Sequence, residues 1–472
     1  MESFNLGSVK PKSTRLIEYE MCVPPFQFVL CSCEGFFMEK RKRGILIMEE
    51  KLILDTHEKP SVLNWISLSA QHVLAMFGAT VLVPMLTGLP VGLTLISSGI
   101  GTLMYILITK GKVPIFLGSS FAFISPIVAS MASEGQGGVT GGLIMIGLCY
   151  LVIALIVKFA GTGWIRKALP PVVIGPTIMI IGLYLAPVAV RWSTLADGAR
   201  DGEWMWQNVA IALITLSVAI FVSAYTKGLF QLLPIFFGMV VGYVVSVMFG
   251  IVDFSVVEYA GVFNDVNFAI FNYAPVFSWE IAALMIPVSI VTIAEHIGDV
   301  LLLNDILKRD LTKDPGLHRT LIGDGLASLM AGLIGGPANT TYGENIGVVG
   351  LTKVASVWVI GGAAVAAIIL GFIAPFTALI STIPFPVMGG VSILLFGIIA
   401  SCGARVMING RVNLGLQRNL IIASVILVLG VGDMEIHFGN ITIGGMALAA
   451  IVGIILNLIL PNPESAEDLS AE

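Results

Sequence analysis

Two polar spots interrupt otherwise apolar sequence, and both carry acids without a lysine or arginine beside them. Glu295 and Asp299 stand one helical turn apart in Ala294-Glu295-His296-Ile297-Gly298-Asp299. Glu344 follows the helix-breaking run Pro337-Ala338-Asn339-Thr340-Thr341-Tyr342-Gly343. A carboxylate at the centre of a bilayer costs at least about 2.5 to 3.5 kcal/mol on insertion scales, so residues of this kind mark a function or compensating partners. Acids spaced i, i+4 share a helical face and repel if both are ionised, which suits a proton carrier. A self-contained polar cluster holding helices together is the blander alternative. Glu344 at the start of a helix stands beside free backbone N–H groups, so acceptors and donors face one ligand. Capping alone also favours Glu there, but it does not require a mid-membrane position. The pattern points to a binding site for a polar small molecule.

The elements that must hold these residues are membrane helices. Of the 472 residues, 56% are hydrophobic and 12% charged, too few charges to cover a soluble globule of this size. Windows of about 20 apolar residues recur from Leu63 to Leu460. They divide into fourteen crossings, seven before a longer polar link that ends near Ile281 and seven after it. With a cytoplasmic N-terminus, the inside-facing links hold fourteen Lys and Arg, among them Lys110, Lys158, Lys308, Arg309, Lys353 and Arg418. The outside-facing links hold Arg191 and Arg200. This positive-inside bias predicts that both termini are cytoplasmic.

Two halves of seven spans have opposite orientations, the form of an inverted repeat. An offset of 224 residues relates Ala70-Gln71-His72 to Ala294-Glu295-His296, and Ser120 to Glu344. The third and tenth spans read as broken, at Gly118-Ser119-Ser120-Phe121-Ala122-Phe123 before Pro126 and at Gly335 through Thr341 before Glu344. Backbone of that kind at membrane depth must be buried in protein or line a cavity, so both breaks point to the site. The fold class expected is therefore an all-α polytopic membrane protein.

Other polar residues read more simply. Gln71 and His72 serve equally well as interhelical glue or as ligand contacts. Asp324, between Gly323 and Gly325, reads as structural, and Asp305, Lys308, Arg309 and Asp310 as a solvated loop. Gly361-Gly362 and Gly389-Gly390 read as close helix contacts. The five cysteines form no metal or disulfide pattern. No nucleophile elbow, phosphate loop or zinc motif is present, so neither an enzyme nor a metal or organic cofactor is expected, and nucleic-acid binding is not suggested.

Residues 1–60 carry mixed charge, three of the five cysteines and no sustained period, as a cytoplasmic tail would; a start at Met48, with the earlier residues upstream of it, is the sharper reading. Lys40-Arg41-Lys42-Arg43 follows rather than precedes the short apolar run from Pro24 to Phe37, so no cleaved leader is expected.

At these residues the chain resembles the nucleobase-ascorbate transporter family. Glu344, Asn345, Gly347, Thr352 and Lys353 match its tenth-span signature, and Gln71-His72 its first-span pair. Ala75 through Thr80, Gly118 through Pro126 and Asp314 through Arg319 extend the likeness, which covers roughly Ser61 to Leu460. The resemblance implies a core domain (61–160 and 278–380), a gate domain (161–277 and 381–460), a C-terminal tail (461–472) and short antiparallel strands in the third and tenth spans. It further implies proton-coupled uptake of uracil across the inner membrane, by alternating access of a commonly dimeric protein. Glu295 and Glu344 would then bind the uracil ring, the backbone N–H groups of Phe121 and Gly343 its carbonyls, and Tyr342 and His72 would support the pocket. The ring face would pack on Phe121 or Phe123. Uracil has two N–H donors and two carbonyl acceptors, which suits that set.

One departure is Asp299, where some uracil carriers of the family have histidine; with Glu295 it is expected to carry or relay the proton. A xanthine or urate symporter of the same family is the alternative, disfavoured because purine carriers tend to have Gln at the position of Glu344. An anion carrier of similar architecture would be poorly served by three acids.

Overall fold

The computed structural model describes residues 52–198, 202–264, 266–438 and 441–461. Most of the expected tails, including the Met48 start, lies outside these residues. The described chain is mostly helical, and seven of its helices are long and apolar enough to cross a membrane.

In chain order the first are α1 (Val62–Thr87) and α2 (Val91–Ile108), followed by strand β1 (Leu117–Ser119) and a 3-10 turn at Phe121–Phe123. Helix α3 (Ile124–Ala160) breaks at Gly135, whose φ of 61° and ψ of −155° are not helical. Next come α4 (Pro171–Thr194), α5 (Trp206–Tyr225) and α6 (Pro234–Met248), and then α7 (Trp279–Leu307) and α8 (Leu317–Ile334). Strand β2 (Asn339–Thr341) leads into the short α9 (Gly343–Thr352). The remainder is α10 (Val357–Phe372), α11 (Phe385–Asn409), α12 (Gln417–Val431), the hairpin β3 (Ile436–Phe438) and β4 (Ile441–Ile443), and α13 (Gly445–Ile459).

Small residues decide which helices touch. Helix α4 runs along α11, and a Cβ on Gly182 would lie 2.2 Å from the Phe396 carbonyl oxygen. Gly389 and Gly390 bring α11 equally close to Ser193 and to the Ala212 carbonyl, and Gly362 seats α10 on Ser69 of α1. Helices α2 and α3 pack on α8, and α10 on α1 and α2. In a second group α5 and α6 pack on α11, and α12 packs on α13 and α4. Helix α7 spans the two, lying against α3 on one side and against α13 and the β3–β4 hairpin on the other.

Residues 52–60, grouped above with the tail, are held to the helices. The Lys353 carbonyl accepts from the Ile53 N–H at 2.9 Å, Leu54 accepts from the Ala355 N–H at 2.9 Å, and Thr56 from Val357 at 2.9 Å. Arg309 pairs with Asp55 at 2.5 Å, and Lys59 lies 5.4 and 5.1 Å from the ring centres of Trp65 and Trp358. The charge pattern concealed this because backbone bonds to Lys353–Val357 leave no sequence period. The Arg309 hydrogen bond holds the Asp55 carboxyl below its usual range. That small contribution to stability is present above the ordinary carboxylate pKa and fades as pH falls through the lowered one; both side chains are well exposed, which screens it further.

Gly182→Val should lower thermal stability by about 1 to 3 kcal/mol, because backbone rather than a movable side chain faces the new atoms. Melting followed by size-exclusion chromatography in detergent measures it; an unchanged midpoint would show that α4 and α11 can part at this level.

Candidate functional site

Strands β1 and β2 join the two broken segments. They pair antiparallel, with Leu117 opposite Thr341, Gly118 opposite Thr340 and Ser119 opposite Asn339. The ladder continues at both ends: Ser120 N–H donates to the Ala338 carbonyl at 2.9 Å and Tyr342 N–H to the Phe116 carbonyl at 3.1 Å. Each strand runs straight into a helical start, at Phe121 and at Gly343, and neither start carries a side-chain cap. The residue before each start thus supplies no cap, and at α9 the Glu344 carboxylate accepts from its own backbone N–H.

Buried polar bonds hold this pair in place. Asn339 donates to the Ser97 carbonyl at 2.9 Å and its own carbonyl accepts from Ser328 at 2.6 Å; the Thr102 hydroxyl accepts from Leu117 N–H at 2.9 Å. The Tyr342 hydroxyl donates to the Ser119 carbonyl at 2.9 Å and lies 3.3 Å from Thr80. Its ring covers Gly118 so closely that a Cβ there would stand 2.4 Å from the ring carbon bearing the hydroxyl. Asn345 donates to the His72 carbonyl at 3.1 Å and lies 3.1 Å from His72 Nδ1, which ties α9 to α1.

The acids converge from two elements. Asp299 accepts from the Thr341 hydroxyl at 2.6 Å, and its other oxygen lies 3.8 Å from the point a Cβ on Gly343 would occupy. Glu295, Asp299 and Glu344 are near enough to interact electrostatically, and among the described residues none of them has an ion pair. Gly343 and Glu344 are accessible, Glu295 and Asp299 half-buried. An accessible stripe continues down α7 through Gly298, Leu301 and Asp305, and down α9 through Gly347 and Leu351. On the other side Val291, Ala294, Thr341 and Tyr342 are buried. The carboxylates therefore line a crevice that opens toward the helix ends followed by Lys308, Arg309 and Lys353.

The expected site residues divide by this geometry. Glu295, Glu344, Asp299, Gly343 and Phe121 face or border the crevice, whereas His72 and Tyr342 are buried behind it and hold the strands and α9. Phe123 is sealed in the core, whereas Phe121 is part-exposed. Its edge meets Phe396 of α11, with centroids 6.0 Å apart, and nearby Ser125 lies 3.3 Å from the Tyr184 hydroxyl of α4, which donates to Asp433 at 3.1 Å. Thr341, Thr80 and the Tyr184 group were missed by sequence reasoning, since nothing local distinguishes them from other helix and strand residues. A separate cavity of about 1010 Å³ lies elsewhere, bordered by Pro90, Asn264, Tyr273 and Thr377, and holds none of these residues.

With every native cysteine replaced by serine, Cys introduced at Gly298 or Gly347 should react with a water-soluble thiol reagent, since nothing stands within 4 Å of either Cβ position. Cys at Val291 or Val349 should not; equal labelling at all four positions would contradict the crevice.

A family model described as "Permease family" matches residues 63–438. The uracil permease of Bacillus caldolyticus is 51% identical over 426 residues, covering 89% of this chain and 98% of that one. Those of Bacillus subtilis (strain 168) and Escherichia coli (strain K12) are 47% and 44% identical, covering 90% and 85% of this chain and 99% and 92% of theirs. Among solved structures, the transmembrane domain of a cyanobacterial bicarbonate transporter matches with a TM-score of 0.56 at 14% identity, over 86% of this chain and all of that one. Murine Solute Carrier 26 family member A9, an anion transporter, matches with 0.61 at 12% identity, over 85% and 68%. At such identities these structures speak for the fold alone.

Proposed function

The chain belongs to this permease family, a group of multi-pass membrane proteins also known as nucleobase-ascorbate transporters, and from that premise we propose that it carries uracil into the cell together with protons. Three curated relatives at 44 to 51% identity bear the name uracil permease, and each is matched over nine-tenths or more of its length. The observation that carries the reading is the junction of β1 and β2, which gathers two uncapped helix starts and three acids around one crevice.

In this reading the two uracil N–H groups donate to Glu295 and Glu344, and its carbonyls accept from the backbone N–H groups of Phe121 and Gly343. The ring packs on Phe121. Asp299, held by Thr341, carries or relays the coupling proton with Glu295, and no other cofactor takes part. A neutral ring suits this site because three carboxylates without a cation would repel an anion.

Alternating access of a core domain against a gate domain is the transport mode in this reading, and the two packed groups of helices support it. We read fourteen crossings as two inverted repeats by dividing α3 at Gly135 and counting the β1 and β2 breaks each with the helix it opens. Helices α1–α3 and α7–α10 form the core, and α4–α6 and α11–α13 the gate. With both termini cytoplasmic in the inner membrane, the accessible stripes on α7 and α9 face the cytoplasm. The contacts of Phe121 with Phe396 and of Ser125 with Tyr184 then close the outward side. Homodimers of this unit in the bilayer complete the proposal.

Uptake of labelled uracil into proteoliposomes should rise with an inward proton gradient and resist competition by xanthine; uptake that xanthine blocks would give the site to purines. Glu344→Gln and Glu295→Gln should each weaken uracil binding by about 1.5 to 3 kcal/mol, the worth of a charge-assisted hydrogen bond, as read by titration calorimetry. Unchanged affinity in either variant removes that contact. Asp299→Asn should retain binding but change the proton dependence of uptake, and wild-type coupling in this variant would count against its role.

A further inference from the structure

We propose that His296 and Asp324 form a second proton-holding pair, sealed behind the crevice and exchanging one proton with Asp299. This extends the symport reading above and rests on it.

His296 and Asp324, from α7 and α8, have no exposed surface, and Nδ1 of the histidine lies 3.5 Å from Oδ2 of the aspartate. Among the described residues neither ring nitrogen has a hydrogen-bond partner, and the carboxylate oxygens have none at full hydrogen-bond geometry, only the looser approach of the Tyr150 hydroxyl and the Thr341 N–H to Asp324. Such isolation is unusual, because buried polar groups are nearly always satisfied and each exception calls for an explanation. The surroundings offer no cation. Tyr105 of α2 meets the His296 ring edge-on with centroids 6.3 Å apart, its hydroxyl also unpartnered. Tyr150 of α3 donates to Thr292 at 2.7 Å and faces Asp324. Glu295 and Asp299 of α7 and the Thr341 backbone of β2 complete the groups around Asp324.

An ionised Asp324 beside a neutral His296 would leave a lone buried charge. One proton between them removes it, resting either on the carboxyl with a neutral ring or on the ring against a carboxylate. The pair is neutral in both forms. Its exchange partner is Asp299, because Thr341 adjoins both acids: its hydroxyl donates to Asp299 at 2.6 Å and its backbone faces Asp324. In the exchange the Asp299 carboxyl loses its O–H bond, the pair gains an O–H or N–H bond, and the single negative charge passes from the pair to Asp299. A ligand that shifts β2 acts on both acids at once. Asp324 thus becomes a proton holder, where the sequence alone read it as structural.

The test compares two modes of transport by Asp324→Asn and His296→Gln, each in proteoliposomes after a check of folding by size-exclusion chromatography. Exchange of labelled for unlabelled uracil needs binding and access but no net proton movement, whereas accumulation needs the coupled proton. Under a gradient of one pH unit each coupled proton supports about tenfold accumulation, so the plateau should fall about tenfold while exchange stays within about threefold of wild type. Wild-type accumulation in a folded variant overturns the proposal alone. Parallel loss of exchange and accumulation assigns the pair to packing and also overturns it. If one variant fails to fold, the other decides. Wild-type uptake that ignores the gradient sinks the symport reading, and this inference with it.

Discussion

Backbone groups that leave a helix inside hydrocarbon must find partners within the protein, and the β1–β2 pair is how this chain meets that demand. Each broken segment supplies what the other lacks, so Leu117–Ser119 and Asn339–Thr341 satisfy one another across more than two hundred residues. Two helix starts are left facing the same space, and those starts cannot be satisfied by the ladder that precedes them. The crevice, its N–H donors and the position of Glu344 all descend from this exchange.

The helices were legible because the bilayer imposes a length on every crossing. Apolar windows located the helices, and glycine, proline and small polar residues located the breaks at Gly118–Phe123 and Gly335–Thr341. Register was not legible. That Gly118 must face Thr340 and lie under the Tyr342 ring depends on contacts no local pattern records. The attachment of residues 52–60 was hidden for a related reason: their bonds to Lys353 through Val357 are made by backbone, which every sequence possesses.

The acids of the site were visible because their cost in a membrane makes them conspicuous, and their partners were hidden because partners are ordinary residues. Thr341, Thr80 and Ser97 look like any small polar residue until the β2 segment is brought against α7, α1 and α2. His72 illustrates the limit. Sequence left it balanced between ligand contact and interhelical glue; its burial and its bonds to Asn345 set it behind the crevice, where it fixes the helix that carries Glu344.

Charge also constrains the whole core more than any single contact does. Glu295, Asp299, Asp324 and Glu344 lie within reach of one another's fields, with no lysine or arginine paired to them among the described residues. Four ionised carboxylates so placed would drive the helices apart, since like charges in a poorly solvated space are costly to hold. In the proposed symport, protons would therefore belong to the resting structure as well as to the cargo. A neutral ligand offering N–H donors can enter such a site without adding charge, and each donor it presents strengthens the ionised form of the acid it meets. In the symport proposed above, ligand and proton meet at the same few oxygens, and that is how binding and coupling would become one event.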